Sequence, residues 1–266
     1  MSYEYRAKDF IHTIDPLISK FIEVLKGNEK RVQDAINLIR PEFDGLCASM
    51  ECVLEKASIE AKSIASDYNI FQILKIERKE VNTHSAFLAN LLDAKGSHGQ
   101  GAIFLDTFLN QIGIIKMPSP WSVETEKSAG FIDVENSESL GRMDIVLQNQ
   151  NAAVVIENKI DHVDEPNQLW RYGKWLENEY LSVWRADKSH YRLIYLTLDK
   201  KKPGSDSISK PAGKAYEKEK FYLNDDNIYR LSYISIYNWL KQCMGDITAP
   251  SLKAIIAQYL KTLRRL

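Results

Sequence analysis

The stretch that decides the fold runs from Arg142 to Ile160 and reads RMDIVLQNQNAAVVIENKI. Two apolar runs flank the polar turn Asn149-Gln150-Asn151, a pattern typical of a β-hairpin. A hairpin centred on this turn sets Asp144 opposite Glu157 on the neighbouring strand. Because side chains alternate along a strand, Asp144, Glu157 and Lys159 are predicted to share one face of the sheet.

These three side chains indicate a cation site. Two carboxylates held about 5 Å apart at Cβ repel each other unless a positive charge lies between them. Oxygen ligands of this kind suit Mg²⁺, and Mn²⁺ can substitute for it. A Glu-x-Lys tripeptide is a weak signal alone, but this one ends an apolar run, where charged residues need a reason to occur. The alternative is a structural ion pair between Lys159 and the acids.

Composition sets broad limits on the class of protein. The chain has 266 residues, 44% of them hydrophobic, enough for one large domain or two small ones. The net charge of −1 gives no overall basic field, although a local basic patch is enough to bind nucleic acid. The three cysteines lack metal-ligand spacing, the N-terminus is polar, and no apolar run approaches the length of about 18 residues that a membrane span needs. We therefore expect a cytoplasmic protein with reduced thiols and no membrane span.

Apolar periodicity predicts a helical first part and an α/β second part. Before residue 115 the apolar residues recur at helical spacing, with helix ends expected at Gly27 and Pro41. After residue 121 the order of elements predicts a mixed sheet with helices on its faces. Predicted strands cover 121–126, 131–136, 143–148, 152–160, 191–198 and 230–234, and predicted helices cover 83–92, 103–112, 167–186, 235–243 and 250–265. We expect a mainly helical region at 1–70 and the α/β core, with its C-terminal helices, at 71–266.

A long helix is predicted from residue 43 to residue 67. Its apolar stripe comprises Leu46, Met50, Val53, Leu54 and Ile64. Ordinary packing that buries the stripe is one interpretation. A surface for a second copy or for a partner protein is the other.

The hairpin acids and lysine, with Gln168 on the following helix, resemble the PD-(D/E)XK nuclease superfamily, which has the restriction-endonuclease-like fold. Glu80, the segment THSAFLANLLD at 83–93 and the triplet Ser97-His98-Gly99 look like the upstream signature of an uncharacterised bacterial branch of that superfamily. The segment 168–172 looks like the branch's downstream signature. Met143 stands where the superfamily's name has proline, at a position that carries no catalytic atom.

The resemblance and the charge chemistry together assign metal ligands. Asp144 and Glu157 supply carboxylates to Mg²⁺, and the carbonyl of Asn158 could supply a third ligand. By resemblance, Glu80 projects from a preceding helix toward the same metal, directly or through water. Glu77 is the competing candidate for that upstream acid.

The remaining candidates act on water or on the substrate. Lys159 is expected to hold the attacking water or lower its pKa, and Gln168 to orient a water or contact the nucleic-acid backbone. Candidates for substrate contact are His84, Ser85, Arg142, Arg171 and Tyr172. Capping or packing is the alternative for His84, a surface ion pair for Arg142, and packing of the helix on the sheet for Tyr172.

We therefore expect an α/β, restriction-endonuclease-like protein that is a Mg²⁺-dependent nuclease acting on DNA, with RNA as the alternative substrate. From the branch resemblance we expect an endonuclease in bacterial defence. The competing hypothesis is a nuclease-fold module that binds nucleic acid or protein and is inactive without a partner. The N-terminal helices are the expected site for a homodimer contact or a partner protein.

Overall fold

The computed structural model describes residues 14–22, 29–65, 68–114, 120–133, 138–139, 141–180, 190–213 and 216–266. The chain divides into two compact units, Met1–Tyr68 and Asn69–Leu266. None of the described helices is long and apolar enough to cross a membrane.

The first unit is helical where it is described. Helix α1 covers residues 14–22, and helix α2 runs from Glu29 to Ile64. The helix end predicted at Pro41 is wrong, because α2 continues through this proline. A proline removes one backbone hydrogen bond, and the ladder on both sides of it remains. The end predicted at Gly27 lies outside the described residues.

The apolar stripe of α2 is not buried in the single chain. Leu46 is 46% exposed, Val53 63% and Leu54 43%. The prediction that ordinary packing buries this stripe is therefore wrong for these residues.

The second unit is built on a five-stranded mixed sheet in the order β1-β4-β5-β6-β7. Strands β1, β4 and β5 pair antiparallel, whereas β5, β6 and β7 pair parallel. The bounds are β1 Ser122–Ser128, β2 Phe131–Asp133, β3 Glu138–Ser139, β4 Arg142–Gln148, β5 Ala153–Lys159, β6 Tyr191–Thr197 and β7 Ile228–Ser232. Strands β2 and β3 form a separate two-stranded sheet. The predicted mixed sheet and hairpin register are confirmed, with Val146 paired to Val155.

Helices cover both faces of the sheet. Their bounds are α3 Ile70–Ile73, a π-helix Glu80–Ser85 that continues into α4 Ala86–Leu92, α5 Ile103–Gln111, α6 Gln168–Glu179, α7 Ser205–Ile208, a 3₁₀-helix Asp225–Asn227, α8 Tyr233–Cys243 and α9 Pro250–Leu263. The predicted helix 167–186 ends earlier, at Glu179, and residues 181–189 lie outside the described part of the chain.

Strand β5 lies at the centre of the core. Val154 and Ile156 pack into the cluster formed with α4, α5, α8 and α9. Ala153 and Val155 pack into the cluster on the other face, which includes α6. Burial on both faces explains why this strand reads as a continuous apolar run. By alternation, Glu157 continues the face covered by α6.

Candidate active site

At one end of the hairpin, the regular backbone pairing of β4 and β5 gives way to a side-chain hydrogen bond. The ladder between β4 and β5 extends from Gln148 paired with Ala153 to Ile145 paired with Ile156. The predicted pair of Asp144 and Glu157 lies one step beyond this ladder. There the Asp144 carboxylate accepts the backbone N–H of Asn158 through Oδ2, at 2.8 Å. A charged side chain thus replaces a backbone acceptor at the strand end.

Glu157 is buried at the same strand end, with 1% of its surface exposed. Its Oε1 accepts hydrogen bonds from Lys159 Nζ at 2.9 Å and from Gln168 Nε2 at 2.8 Å. Its Oε2 is buried without a hydrogen-bond partner among the described residues. An unpartnered oxygen on a buried carboxylate is costly, so this atom is the feature of the site that most needs a ligand.

The two acids hold their protons unusually tightly. Burial, followed by the Asp144 charge, raises the pKa of Glu157 to about 8, with Lys159 opposing the shift. Burial also raises the pKa of Asp144 to about 6, although the Asn158 N–H and the Lys159 charge oppose the rise. Burial lowers the pKa of Lys159, but the carboxylates of Glu157, Asp144 and Glu80 together raise it more, so the ammonium is retained. When both acids are ionised, the strand end therefore carries more negative charge than Lys159 alone neutralises.

These donors fit a hard divalent cation. The orphaned Glu157 Oε2 and the nearby Asp144 carboxylate are oxygen ligands, and a bound cation would stabilise both in their ionised forms. Because the N–H and C=O of one strand residue point to the same side, the Asn158 carbonyl also points toward β4. Within the described ranges, however, no group of three or more His, Cys, Asp or Glu side chains is arranged to hold a metal.

A third carboxylate, that of Glu80, does not join this group because it accepts hydrogen bonds elsewhere. It is buried on the π-helix, and its Oε1 accepts the backbone N–H groups of Ile160 at 2.5 Å, Asp161 at 2.8 Å and His162 at 3.1 Å. Its Oε2 lies 2.5 Å from His162 Nδ1. Burial raises the pKa of Glu80, but these donors together lower it more. The carboxylate thus fastens the turn after β5 rather than standing with Asp144 and Glu157.

Asn158 is fixed from both sides of its amide group. Its Nδ2 donates to Ser85 Oγ at 3.1 Å and to the Glu80 carbonyl at 3.5 Å. Its Oδ1 accepts the hydroxyl of Tyr233 at 2.7 Å. Ser85 therefore holds the strand end in place and is 1% exposed. The π-helix delivers both Glu80 and Ser85 to β5, and such helices are often found at functional sites.

Two further candidates for substrate contact, His84 and Tyr172, are buried like Ser85. His84 is fully buried, with Nδ1 2.8 Å from the Tyr259 hydroxyl and Nε2 2.8 Å from the Glu77 carbonyl. Tyr172 is 1% exposed and donates its hydroxyl to the Arg142 carbonyl. Both placements favour the packing interpretation over contact with substrate.

The two arginine candidates lie nearer solvent. The Arg142 side chain is 70% exposed, and its Nε lies 3.5 Å from Glu126 Oε2. Arg171 is less exposed and reaches Glu165 at 3.5 Å, while its Nε is buried and has no hydrogen-bond partner in the part of the chain that the structure describes. Of the two, Arg171 has the donor that a phosphate oxygen would satisfy.

The structure adds residues that the sequence did not single out. His162 stands against Glu80, and Tyr233 and Tyr259 hold Asn158 and His84. Tyr233 is 75 positions from Asn158, and Tyr259 is 175 from His84. Motif spacing within one element cannot predict such contacts. The one available signal was that His162 closely follows the acid-x-lysine strand.

Comparison with known proteins gives one match. A model of the PD-(D/E)XK nuclease superfamily matches residues 68–261, which include the π-helix, the sheet and α6. Neither the curated proteins nor the solved structures contain a significant match to this chain. Members of the superfamily typically use a divalent metal ion. The match covers well over half of the chain, and the chain therefore belongs to the PD-(D/E)XK nuclease superfamily.

Proposed function

We propose that this protein is a Mg²⁺-dependent endonuclease that hydrolyses phosphodiester bonds in DNA. The observation that carries the proposal is the orphaned Oε2 of the buried Glu157 beside the Asp144 carboxylate, with Lys159 on the same strand end. Asp144, Glu157 and the Asn158 carbonyl would hold the metal, which would stabilise negative charge developing on the phosphate. A role in bacterial defence stays a prediction from the branch resemblance.

Lys159 has the clearest task among the chain's own residues. It keeps its proton, because the carboxylates of Glu157, Asp144 and Glu80 together outweigh the effect of burial on its pKa. An ammonium at this place can donate to an attacking water and oppose the charge of the phosphate. Its side chain is 9% exposed, so little bulk water screens that charge.

Gln168 and Glu80 act as positioning residues. Gln168 Nε2 donates to Glu157 Oε1, which leaves Oε2 as the oxygen available to a ligand. Glu80 collects three backbone N–H groups of the turn after β5 and so fixes the end of the strand that carries Lys159. A contact of Glu80 with the metal through water is compatible with this role.

Cleavage of covalently closed circular DNA tests the proposal. We expect the purified full chain to nick or linearise the circle with Mg²⁺ or Mn²⁺ and to leave it intact with chelator, because only an endonuclease can open a circle. Asp144→Asn and Lys159→Met are each expected to lower the rate by at least about 10²-fold. Parallel reactions on single-stranded DNA and on RNA decide the substrate.

The matched control is Glu124→Gln, which removes a carboxylate from β1 of the same sheet, at the position paired with Val146. Glu124 lies 2.5 Å from Lys127 and accepts from Gln148, so this change leaves Asp144 and Glu157 untouched. Wild-type activity is expected from the control. Full activity in either Asp144→Asn or Lys159→Met would refute the assigned roles. Metal binding without cleavage of any substrate would support the partner-dependent module instead.

A further inference from the structure

The apolar residues of helix α2 follow a heptad repeat in addition to its general amphipathic pattern. The helix extends over Glu29–Ile64, a length of about 54 Å at 1.5 Å per residue. Its apolar residues recur at alternating steps of four and three, the heptad spacing of coiled coils. This seam comprises Val32, Ile36, Ile39, Phe43, Leu46, Met50, Val53 and Ala57. Pro41 lies on the side of the helix opposite the seam, so it leaves the seam intact.

The seam is open to solvent in the single chain. Ile39 is 42% exposed, Phe43 41%, Leu46 46% and Val53 63%. Near the first half of the seam, α1 and α2 enclose an open groove of about 530 Å³. The groove is lined by Leu17, Ile18, Phe21 and Ile22 from α1 and by Ile36, Ile39, Arg40, Phe43 and Asp44 from α2. A continuous apolar surface of this kind marks a binding site for another macromolecule.

We propose that the chain forms a homodimer in which α2 of one subunit packs antiparallel against α2 of its partner, seam to seam. Residues 53–57 of the partner then enter the groove between α1 and α2. The occupant is thus a second copy of this chain, and the residues of the contact belong to the first unit, whereas the proposed nuclease residues belong to the second.

The exposed apolar face of α1 and α2 is large enough to form a stable dimer interface. Ten side chains contribute to it, Leu17, Ile18, Phe21, Ile22, Ile36, Ile39, Phe43, Leu46, Val53 and Leu54, and they are about half exposed on average. Covering them on two subunits removes about 1,800 Å² from solvent, which is within the range of specific interfaces.

The sequence of the seam selects the antiparallel arrangement. With Leu46 opposite the partner's Met50, Phe43 meets the partner's Val53, so these layers are apolar. The same alignment sets Glu42 beside the partner's Lys56, once on each side of the two-fold axis. Both residues are exposed in the single chain. A parallel alignment would instead place Glu42 beside the partner's Cys47, without an opposite charge.

The oligomeric state of the full chain tests the dimer. We expect sedimentation to show a dimer at about 10 µM, and Leu46→Glu to give a monomer, because two charges would then be buried in the seam. The matched control is Leu38→Glu, on the same helix but off the seam, where the leucine is 78% exposed. It should remain dimeric. Thermal unfolding of each variant checks that the unit Asn69–Leu266 is still folded. A monomeric wild type, a dimeric Leu46→Glu variant or a monomeric Leu38→Glu variant would each overturn the proposal.

A charge exchange tests the antiparallel alignment. Glu42→Lys and Lys56→Glu, each alone, should weaken the dimer about tenfold, because each sets like charges together at two places. An equal mixture of the two variants should regain the wild-type affinity. In a dimer with one chain of each variant, positions 42 and 56 of the two chains again carry opposite charges. Single variants with wild-type affinity, or a mixture as weak as its components, would contradict this alignment.

Discussion

At the scale of single residues, the account depends on Glu157. Its carboxylate is buried, one oxygen accepts hydrogen bonds from Lys159 and Gln168, and the other has no partner within the described ranges. Burial raises the pKa of both Glu157 and Asp144, because it disfavours their charged forms, and the Asp144 charge raises the pKa of Glu157 further. The site is therefore stable in the metal-free protein only when protons or a cation supply positive charge.

We predict that the metal-free protein loses stability as the pH rises from about 5 to about 8. The pKa of Glu157 is about 8 in the folded protein against an ordinary 4.5, so the folded state binds the proton more tightly than the unfolded state. Stability from such a group is fully present below the unfolded pKa and is lost as the pH rises through the folded pKa. Urea unfolding in chelator at a series of pH values measures this loss.

Glu157→Gln is the control for that prediction, because it keeps the shape of the side chain and removes the titrating group. The pH dependence should be much flatter in this variant, and Mn²⁺ should stabilise the wild type more at pH 8 than at pH 6. If the free energy of unfolding depended on pH equally in the wild type and the variant, the pKa of Glu157 would not be raised by folding.

Much of this site follows from local sequence. The hairpin register placed Asp144 and Glu157 at one strand end, because a two-fold alternation and a polar turn fix which residues are neighbours. The position of the Glu80 carboxylate could not be read in this way. It depends on three N–H groups of a turn some 80 residues later, and such a contact exists only once the chain has folded.

At the scale of elements, strands were easier to predict than helix ends. Strand β5 is apolar on both faces because helices cover both, and that requirement is visible in a short run of residues. The sequence predicts two helices that meet near Pro41 where the structure has the single helix α2, because a rule based on proline alone does not take the rest of the helix into account. The π-helix has no sequence period distinct enough to separate it from α4.

The turn that joins α4 to α5 offers a test at this scale. A Cβ on Gly96 would lie 2.3 Å from the Asn90 carbonyl oxygen and 2.9 Å from the Asp93 carbonyl oxygen. Backbone atoms cannot move aside cheaply, so Gly96→Ala should lower the free energy of unfolding by about 3 kcal/mol. Chemical denaturation measures the change.

Gly99→Ala is the matched substitution in the same turn. Gly99 has a φ of 65°, and no atom of the described residues lies within 4 Å of an added Cβ. Gly99→Ala should therefore lower the free energy of unfolding by only about 1 kcal/mol, which is the cost of holding an alanine in the left-handed conformation. A larger loss at Gly99 than at Gly96 would mean that the turn differs from the one described.

At the scale of the whole molecule, the second unit begins with residues that bind its last helix. Asn69 Nδ2 donates to the Gln258 carbonyl at 3.0 Å and to Thr262 Oγ1 at 3.1 Å. Phe71 is buried, with its ring 5.4 Å from that of Tyr259. The boundary at Tyr68 thus falls just before a segment that the unit needs.

We predict that a fragment of residues 68–266 folds and unfolds cooperatively, whereas a fragment of residues 76–266 is less stable by at least about 3 kcal/mol. The second fragment lacks the buried Phe71 ring and the hydrogen bonds of Asn69. Urea titration followed by circular dichroism compares the two. Equal stability of the fragments would show that this segment contributes little to the unit.

The most direct measurement of the central claim is anomalous diffraction from a crystal of the full chain soaked in Mn²⁺ at pH 8. The orphaned Glu157 oxygen predicts a peak within about 2 to 2.5 Å of carboxylate oxygens of both Asp144 and Glu157. Saturating Mn²⁺ that leaves no density between these carboxylates, or that binds only elsewhere on the protein, would contradict it.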